Sequence, residues 1–393
     1  MTRFLLLAIV IAANVTPQCG SSSSSGGSNG GGNNVLPVVV NAGPANNYIN
    51  GLFTAVTVCV PGQSNCQTVN GVLVDTGSVG LRVLSSALTL SLPPQTAPAG
   101  GGQVLECAQF LDGFTWGPIV MADVKLSGKQ ASGIPIQVID ESRFQIPQQC
   151  TSTGSSEDTL DSLGANGILG VGLFREDCGP ACASLGASNP AFYFGCPSSG
   201  CVVIALPNAQ QLQNPVWLFS GDNNGIMIQL PSVPEAGTTA ISGSLVFGIG
   251  TQSNNALGSA RVLTTDAAGN FTTLYNGQSY TDSFIDSGSN GLFFLDAMTT
   301  GLPLCTSSKD FYCPAQTRSL SASQRGANGA VSSFQFSIGD ADTVPNQFAV
   351  YGELGGPNAG SFNWGLPFFY GRTIFVAIEG QSAPGGIAPY WAY

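Results

Sequence analysis

The stretch Phe53 to Val60 alternates apolar and small polar residues, the pattern of a strand with one face buried. Pro61-Gly62-Gln63-Ser64-Asn65 supplies a turn, and Gln67 to Val74 predicts a returning strand. Phe114 to Leu126 reads as a strand pair turning near Gly117-Pro118. Cys201 to Leu206, Val216 to Phe219 and Gly225 to Leu230 predict strands that lead out of the first half. Ile241 to Gly250 opens the second half and Phe368 to Ile378 closes it. Helix is confined to short segments at Asn208 to Leu212 and after Asp296. Apolar runs broken this often by Gly, Pro and Asn, with few charged runs, predict an all-β protein.

Laid over this pattern is a repeat. Val74-Asp75-Thr76-Gly77-Ser78-Val79-Gly80-Leu81-Arg82-Val83-Leu84 returns 211 residues later as Ile285-Asp286-Ser287-Gly288-Ser289-Asn290-Gly291-Leu292-Phe293-Phe294-Leu295. The Asp, both Gly, the Ser and both Leu are identical, and Val/Ile and Thr/Ser keep their chemistry. An apolar-Asp-hydroxyl-Gly loop present once in each half is a device by which two lobes can bring two carboxylates face to face. The chain divides accordingly into a targeting segment at 1–19, a Ser/Gly-rich linker at 20–34, an N-terminal lobe at 35–235 and a C-terminal lobe at 236–393.

Composition narrows the chemistry. The 393 residues include no histidine, which removes Ser-His-Asp triads, Cys-His pairs and His-Glu-x-x-His zinc sites and leaves carboxylates as the natural acid and base. The net charge is −11 and only 8% of residues are charged, so no cationic cluster is available to displace counterions from a phosphate backbone, and nucleic acid is not an expected partner.

The N-terminus points to export. Arg3 precedes ten apolar residues from Phe4 to Ala13, the proportions of a signal-peptide core and too few to span a bilayer. Cys19 and the Ser/Gly tract after it resemble the acylated cysteine and tether of a bacterial lipoprotein, although Thr16-Pro17-Gln18 departs from the small residue usual before that cysteine. The expected location is periplasmic or at the cell surface, with a lipid anchor at Cys19. Setting Cys19 aside, ten of the eleven cysteines remain, an even number suited to disulfides. Cys59 with Cys66, Cys305 with Cys313 and Cys107 with Cys150 are the expected pairs. Cys178, Cys182, Cys196 and Cys201 should make two more bridges of open connectivity. The alternative, zinc on those four thiolates, is disfavoured by their spacing in an exported chain without His.

From about residue 36 to 393 these features resemble the pepsin-like aspartic endopeptidases. The hairpin Val58-Cys59-Val60-Pro61-Gly62-Gln63 stands ahead of Asp75 as in that family. Asn166-Gly167-Ile168-Leu169-Gly170-Val171-Gly172 is similar to the strand that crosses the first Asp loop, and Trp364-Gly365-Leu366-Pro367-Phe368 to its counterpart in the second lobe. The resemblance implies a bilobal all-β fold with a cleft between two related lobes. It implies catalysis by Asp75 and Asp286 on a water held between them, with an extended polypeptide as substrate and no cofactor or metal. Two carboxylates that close cannot both ionise, so the pair would hold one proton, one member acting as base and the other as acid. Thr76 and Ser287 would cross-link the loops, Gly77 and Gly288 would allow their close approach, and Ser78 and Ser289 would bond the outer carboxylate oxygens.

Two positions depart from the family. Trp116-Gly117 stands where a flap hairpin carries Tyr-Gly, which makes Trp116 the flap candidate, and Arg82 replaces the Trp that the flap Tyr touches. A cation–π contact between Arg82 and Trp116 is one expectation, and a Trp packed away from any flap is the other. The second functional reading is accordingly a catalytically inactive pepsin-like binding or surface lipoprotein.

Overall fold

The computed structural model describes residues 33–393 apart from 112, 141–143 and 153. The signal segment, Cys19 and the linker up to residue 32 lie outside the described residues.

The protein is nearly all β. Where one face of a sheet is buried, the strands alternate: Phe271, Thr273 and Tyr275 point inward along Phe271–Tyr275, while Thr272 and Leu274 are only half-buried. Where a strand lies between two layers it is buried throughout, as in Gly167–Val171 and Val79–Leu84.

The two halves share one plan around the repeated loops. Cys66–Asp75 leads into the first loop and pairs in parallel with Gly167–Val171, placing Val74 opposite Leu169 and Asp75 opposite Gly170. Val79–Leu84 leaves the loop and pairs antiparallel with the same strand, placing Leu81 opposite Leu169. In the second half Gln278–Ile285 leads in and Leu292–Leu295 leaves, both flanking Asn358–Trp364, so that Ile285 and Leu292 both oppose Trp364. In each half a third strand thus passes between the strands that carry the Asp loop.

A continuous sheet joins the halves. Val35–Asn41 pairs antiparallel with Ile241–Phe247, which continues through Gly225–Gln229 and Thr373–Ala377 to Tyr390–Ala392. Asn34 is already part of this frame: it is buried, and its side-chain amide donates to the carbonyl of Phe247 at 3.0 Å. The first lobe is filled mainly by aliphatic side chains such as Val56, Val72, Leu81, Val124 and Ile136. The second is held by an aromatic cluster in which Trp364 lies 4.9 Å from Phe334, 5.2 Å from Phe336 and 5.3 Å from Phe362.

Ten cysteines form five disulfides: 59–66, 107–150, 178–182, 196–201 and 305–313. The three pairs expected from sequence are present, and the remaining four thiols close two short loops. Among the described residues no helix is long and apolar enough to cross a membrane.

Several expected elements are corrected. Gly113–Leu126 is one fourteen-residue strand with no turn at Gly117-Pro118. Gly117 is required there because a Cβ would lie 2.0 Å from the carbonyl oxygen of Val138 on the neighbouring strand. The reversal instead comes at Ser127-Gly128, both at positive φ. Val216–Leu218 is a single helical turn rather than a strand, led by Pro215, whose fixed φ suits a helix start. Cys201 to Leu206 contributes only the short strand Val202–Val203. Phe368 and Phe369 belong to a helical turn ahead of the strand Thr373–Ala377. Asn208 to Leu212 forms one turn at Asn208–Gln210, and the helix after Asp296, Ala297–Thr300, is capped by the Asp296 side chain.

Candidate active site

Asp75 is the last residue of its strand and Asp286 follows directly after its own. The loops that start at these residues are bonded to each other reciprocally. The backbone N–H of Thr76 donates to Ser287 Oγ at 3.1 Å, and that of Ser287 donates to Thr76 Oγ1 at 2.9 Å. Each hydroxyl passes its own proton to the carbonyl before the opposite Asp: Ser287 to Val74 at 2.7 Å and Thr76 to Ile285 at 3.4 Å. All four groups are buried, so the cross-link satisfies polar atoms that water cannot reach.

The cross-link sets each carboxyl against the other loop's glycine. A Cβ on Gly77 would lie 2.8 Å from Oδ1 of Asp286, and one on Gly288 would lie 2.7 Å from Oδ1 of Asp75 and 3.2 Å from Oδ1 of Asp286. Both carboxyls therefore border the same small space, and only glycine fits between them. Within each loop the bonding is again parallel. Gly77 N–H donates to Asp75 Oδ1 at 2.7 Å and Gly288 N–H to Asp286 Oδ1 at 2.8 Å. Ser78 donates to Asp75 Oδ2, and Ser289 donates to Asp286 Oδ2 at 2.6 Å.

Asp75 and Asp286 are 7% and 9% exposed, so both are desolvated yet in contact with solvent. Burial, then the charge of Asp286 and a hydrogen bond to it, push the Asp75 carboxyl up to about 8, against the lowering effect of Ser78 and Gly77. The push is toward the protonated form of Asp75, as expected for one of two carboxyls held this close. A cavity of about 70 Å³ adjoins the first loop, lined by Gly77, Ser78, Leu173, Phe174 and Gly269 among others.

The flap candidate is corrected. Trp116 is fully buried, 5.3 Å from Phe194, with its indole N–H donating to the carbonyl of Phe144 at 3.3 Å. It is a core residue of the long strand and cannot close over a ligand. The hairpin formed by Gln103–Gln109 and Gly113–Leu126 turns at Phe110, whose N–H donates to the carbonyl of Gly113 at 2.8 Å. The guanidinium of Arg82 stands 5.9 Å from the ring of Phe110, not against Trp116. Arg82 also pairs with Glu106 at 2.5 Å and Asp177 at 3.2 Å, all buried. The sequence signal for this turn was Asp112-Gly113, overshadowed by Gly117-Pro118.

One further residue at the site escaped sequence reasoning. Asn363, 1% exposed on the crossing strand of the second lobe, donates from Nδ2 to Ser289 Oγ at 2.7 Å and lies 3.4 Å from Asp286 Oδ2. The signal available was a lone amide in the run Phe362-Asn363-Trp364-Gly365-Leu366.

The fold and its paired Asp loops define a class, and comparison with solved structures agrees on the fold. The chain is similar to the crystal structure of an aspartic proteinase from Irpex lacteus, with a TM-score of 0.51 at 14% identity over 91% of this chain and 96% of that one. The architecture is thus the bilobal pepsin-like one. Residues 30–393 match the model of the family described as protein of unknown function (DUF3443), and the chain belongs to that family. No curated protein matches it.

Proposed function

We propose that this protein is an exported aspartic endopeptidase that cleaves extended polypeptides with a water activated between Asp75 and Asp286. The observation that carries the reading is the reciprocal Thr76–Ser287 cross-link, which brings the two carboxyls to the border of one glycine-walled space. Asp286, ionised, takes a proton from the water as its oxygen attacks the scissile carbonyl carbon. Asp75 gives its proton to the carbonyl oxygen as charge develops there. The resulting gem-diol collapses when Asp75 recovers a hydroxyl proton and Asp286 passes its proton to the amide nitrogen. The C–N bond breaks, and the dyad returns to its starting state. Five disulfides suit folding in an oxidising compartment and support export. Acylation of Cys19 would hold the enzyme at a membrane surface.

A second reading has its own support. Residues 103–126 contain no Tyr, and their turn meets an arginine rather than a tryptophan. A hairpin altered in both partners fits a pepsin-like binding protein that has given up hydrolysis. Incubation with a denatured protein substrate between about pH 3 and 7 separates the two. Cleavage that a pepstatin-type inhibitor blocks supports the enzyme. Tight inhibitor or peptide binding without cleavage supports the binding protein.

A further inference from the structure

The two Asp carboxyls are hydrogen-bonded alike within their own loops. Each carboxyl accepts from a loop glycine N–H and from the serine three residues on. Among the described residues only the second has a further donor behind the serine, the Asn363 amide. The strand ladders give the corresponding residue of the first lobe unambiguously. Asn363 opposes Phe284 and Phe293, and Ile168 opposes Leu73 and Arg82, the same positions in the repeat. An amide thus stands in one lobe where an isoleucine stands in the other.

The chemistry of the neighbours decides how that amide lies. Ser289 has a single proton and gives it to Asp286 at 2.6 Å, so its oxygen faces Asn363 as an acceptor. Only the NH₂ end of Asn363 can meet that oxygen with a carboxylate oxygen 3.4 Å away, since a carbonyl there would face two acceptors. The cost is visible: Asn363 Oδ1 is buried without a partner among the described residues. An unpaired buried carbonyl is expensive, and an apolar residue would avoid the expense.

We propose that Asn363 is a positioning residue that polarises the dyad, using the relay Asn363 Nδ2–H to Ser289 Oγ–H to hold the negative charge on Asp286 and leave the shared proton on Asp75. This rests on the peptidase reading for its catalytic meaning, but it concerns charge placement and can be measured without turnover. The raised carboxyl of Asp75 agrees with it. Few other groups can compete. The crossing strands Gly167–Val171 and Asn358–Trp364 contain no titratable residue, and the loop segments 74–78 and 285–289 contain only the two aspartates. Tyr48, from the first lobe, reaches the second loop with its hydroxyl 3.4 Å from the Gly288 carbonyl.

The test is a ¹³C-carboxyl NMR titration of aspartate-labelled protein, with Asp75→Asn and Asp286→Asn used for assignment, run beside the pH profile of kcat/KM. In the native protein the acidic step should belong to Asp286 and the upper step to Asp75. In Asn363→Ile, which installs the first lobe's residue, the acidic step should rise by about one pH unit, the loss of one hydrogen bond toward a charged group, and the acid limb of the rate profile should move with it. Ser289→Ala interrupts the same relay with little change in volume and should move the step in the same direction, which keeps the test open if Asn363→Ile does not fold. An acidic step on Asp75 in the native protein, or a step unmoved by both substitutions, overturns the inference. A protein that titrates as stated and cleaves nothing supports it and counts against peptide hydrolysis alone.

Discussion

At the scale of single residues the site is defined by what its neighbours forbid. Glycines at 77 and 288 are demanded by carboxyl oxygens and not by turn geometry, since a Cβ at either would come within 2.8 Å of an opposing Asp atom. In the same crowded space, burial and the charge of Asp286 push the Asp75 carboxyl up to about 8. If Asp75 is the acid, hydrolysis should persist through the acid range and fall as pH rises past that value, because the required proton is then lost and two charges repel. Asp75→Asn and Asp286→Asn should each lower kcat/KM by at least about 10²–10⁴-fold. An amide preserves shape and most hydrogen bonds but cannot act as base or share the proton. Circular dichroism should show the fold retained. Peptide hydrolysis that survives either substitution would place the chemistry elsewhere.

At the scale of elements, the three-strand arrangement around each loop turns a short motif into a rigid mount. The cross-link depends on Thr76 in particular, because its hydroxyl accepts from the buried Ser287 N–H at 2.9 Å. Thr76→Val keeps the shape and leaves that N–H unpaired, so it should cost about 1–3 kcal/mol of stability, read from the urea midpoint, and lower activity with it. Thr76→Ser should restore most of both. A Thr76→Val protein as stable as the native one would show that the cross-link is not what holds the loops. This mount was legible in sequence because the Asp-loop repeat keeps six of eleven residues between its copies and each crossing segment is a short local string with a Gly after an apolar residue. The long strand Gly113–Leu126 was not, because Gly117 and Pro118 look like a turn when read alone. The reason for the glycine is the Val138 carbonyl on another strand, a contact that no local pattern records. Asn363 was hidden for a related reason. Its role appears only once ladder register makes it the counterpart of Ile168 in the other lobe. Trp116 shows the limit of spacing as a guide, since a distance along the chain suggested a flap where packing made a core.

At the scale of the whole molecule, a second buried acid cluster ties the hairpin to the body of the first lobe. Arg82, Glu106 and Asp177 come from three separate segments, and Tyr193 adds a hydrogen bond to Asp177 at 2.6 Å. Two carboxyls face one guanidinium, so the cluster is neutral only while one acid keeps its proton. Asp177 is raised well above the ordinary carboxylate value of 3.8, first by burial, then by the charge of Glu106 and a hydrogen bond to it, with Arg82 and Tyr193 opposing. An acid whose folded pKa lies above its unfolded one contributes stability that is fully present below the unfolded value and is lost as pH rises through the folded value. Asp75 acts in the same direction, between 3.8 and about 8. The protein should therefore be most resistant to urea near pH 4 and lose stability toward pH 8, the reverse of a protein held by exposed carboxylate salt bridges. Asp177→Asn has no proton to lose and should flatten that decline, making the variant the more stable of the two at the alkaline end. Arg82→Met should do the opposite, stranding two acids in the interior at a cost of about 3–5 kcal/mol wherever either is ionised. Urea midpoints across the range decide the matter: a native protein that gains stability from pH 4 to 8, or an Asp177→Asn variant with an unchanged slope, would show that the cluster is already charge-balanced and does not set the working range of the fold.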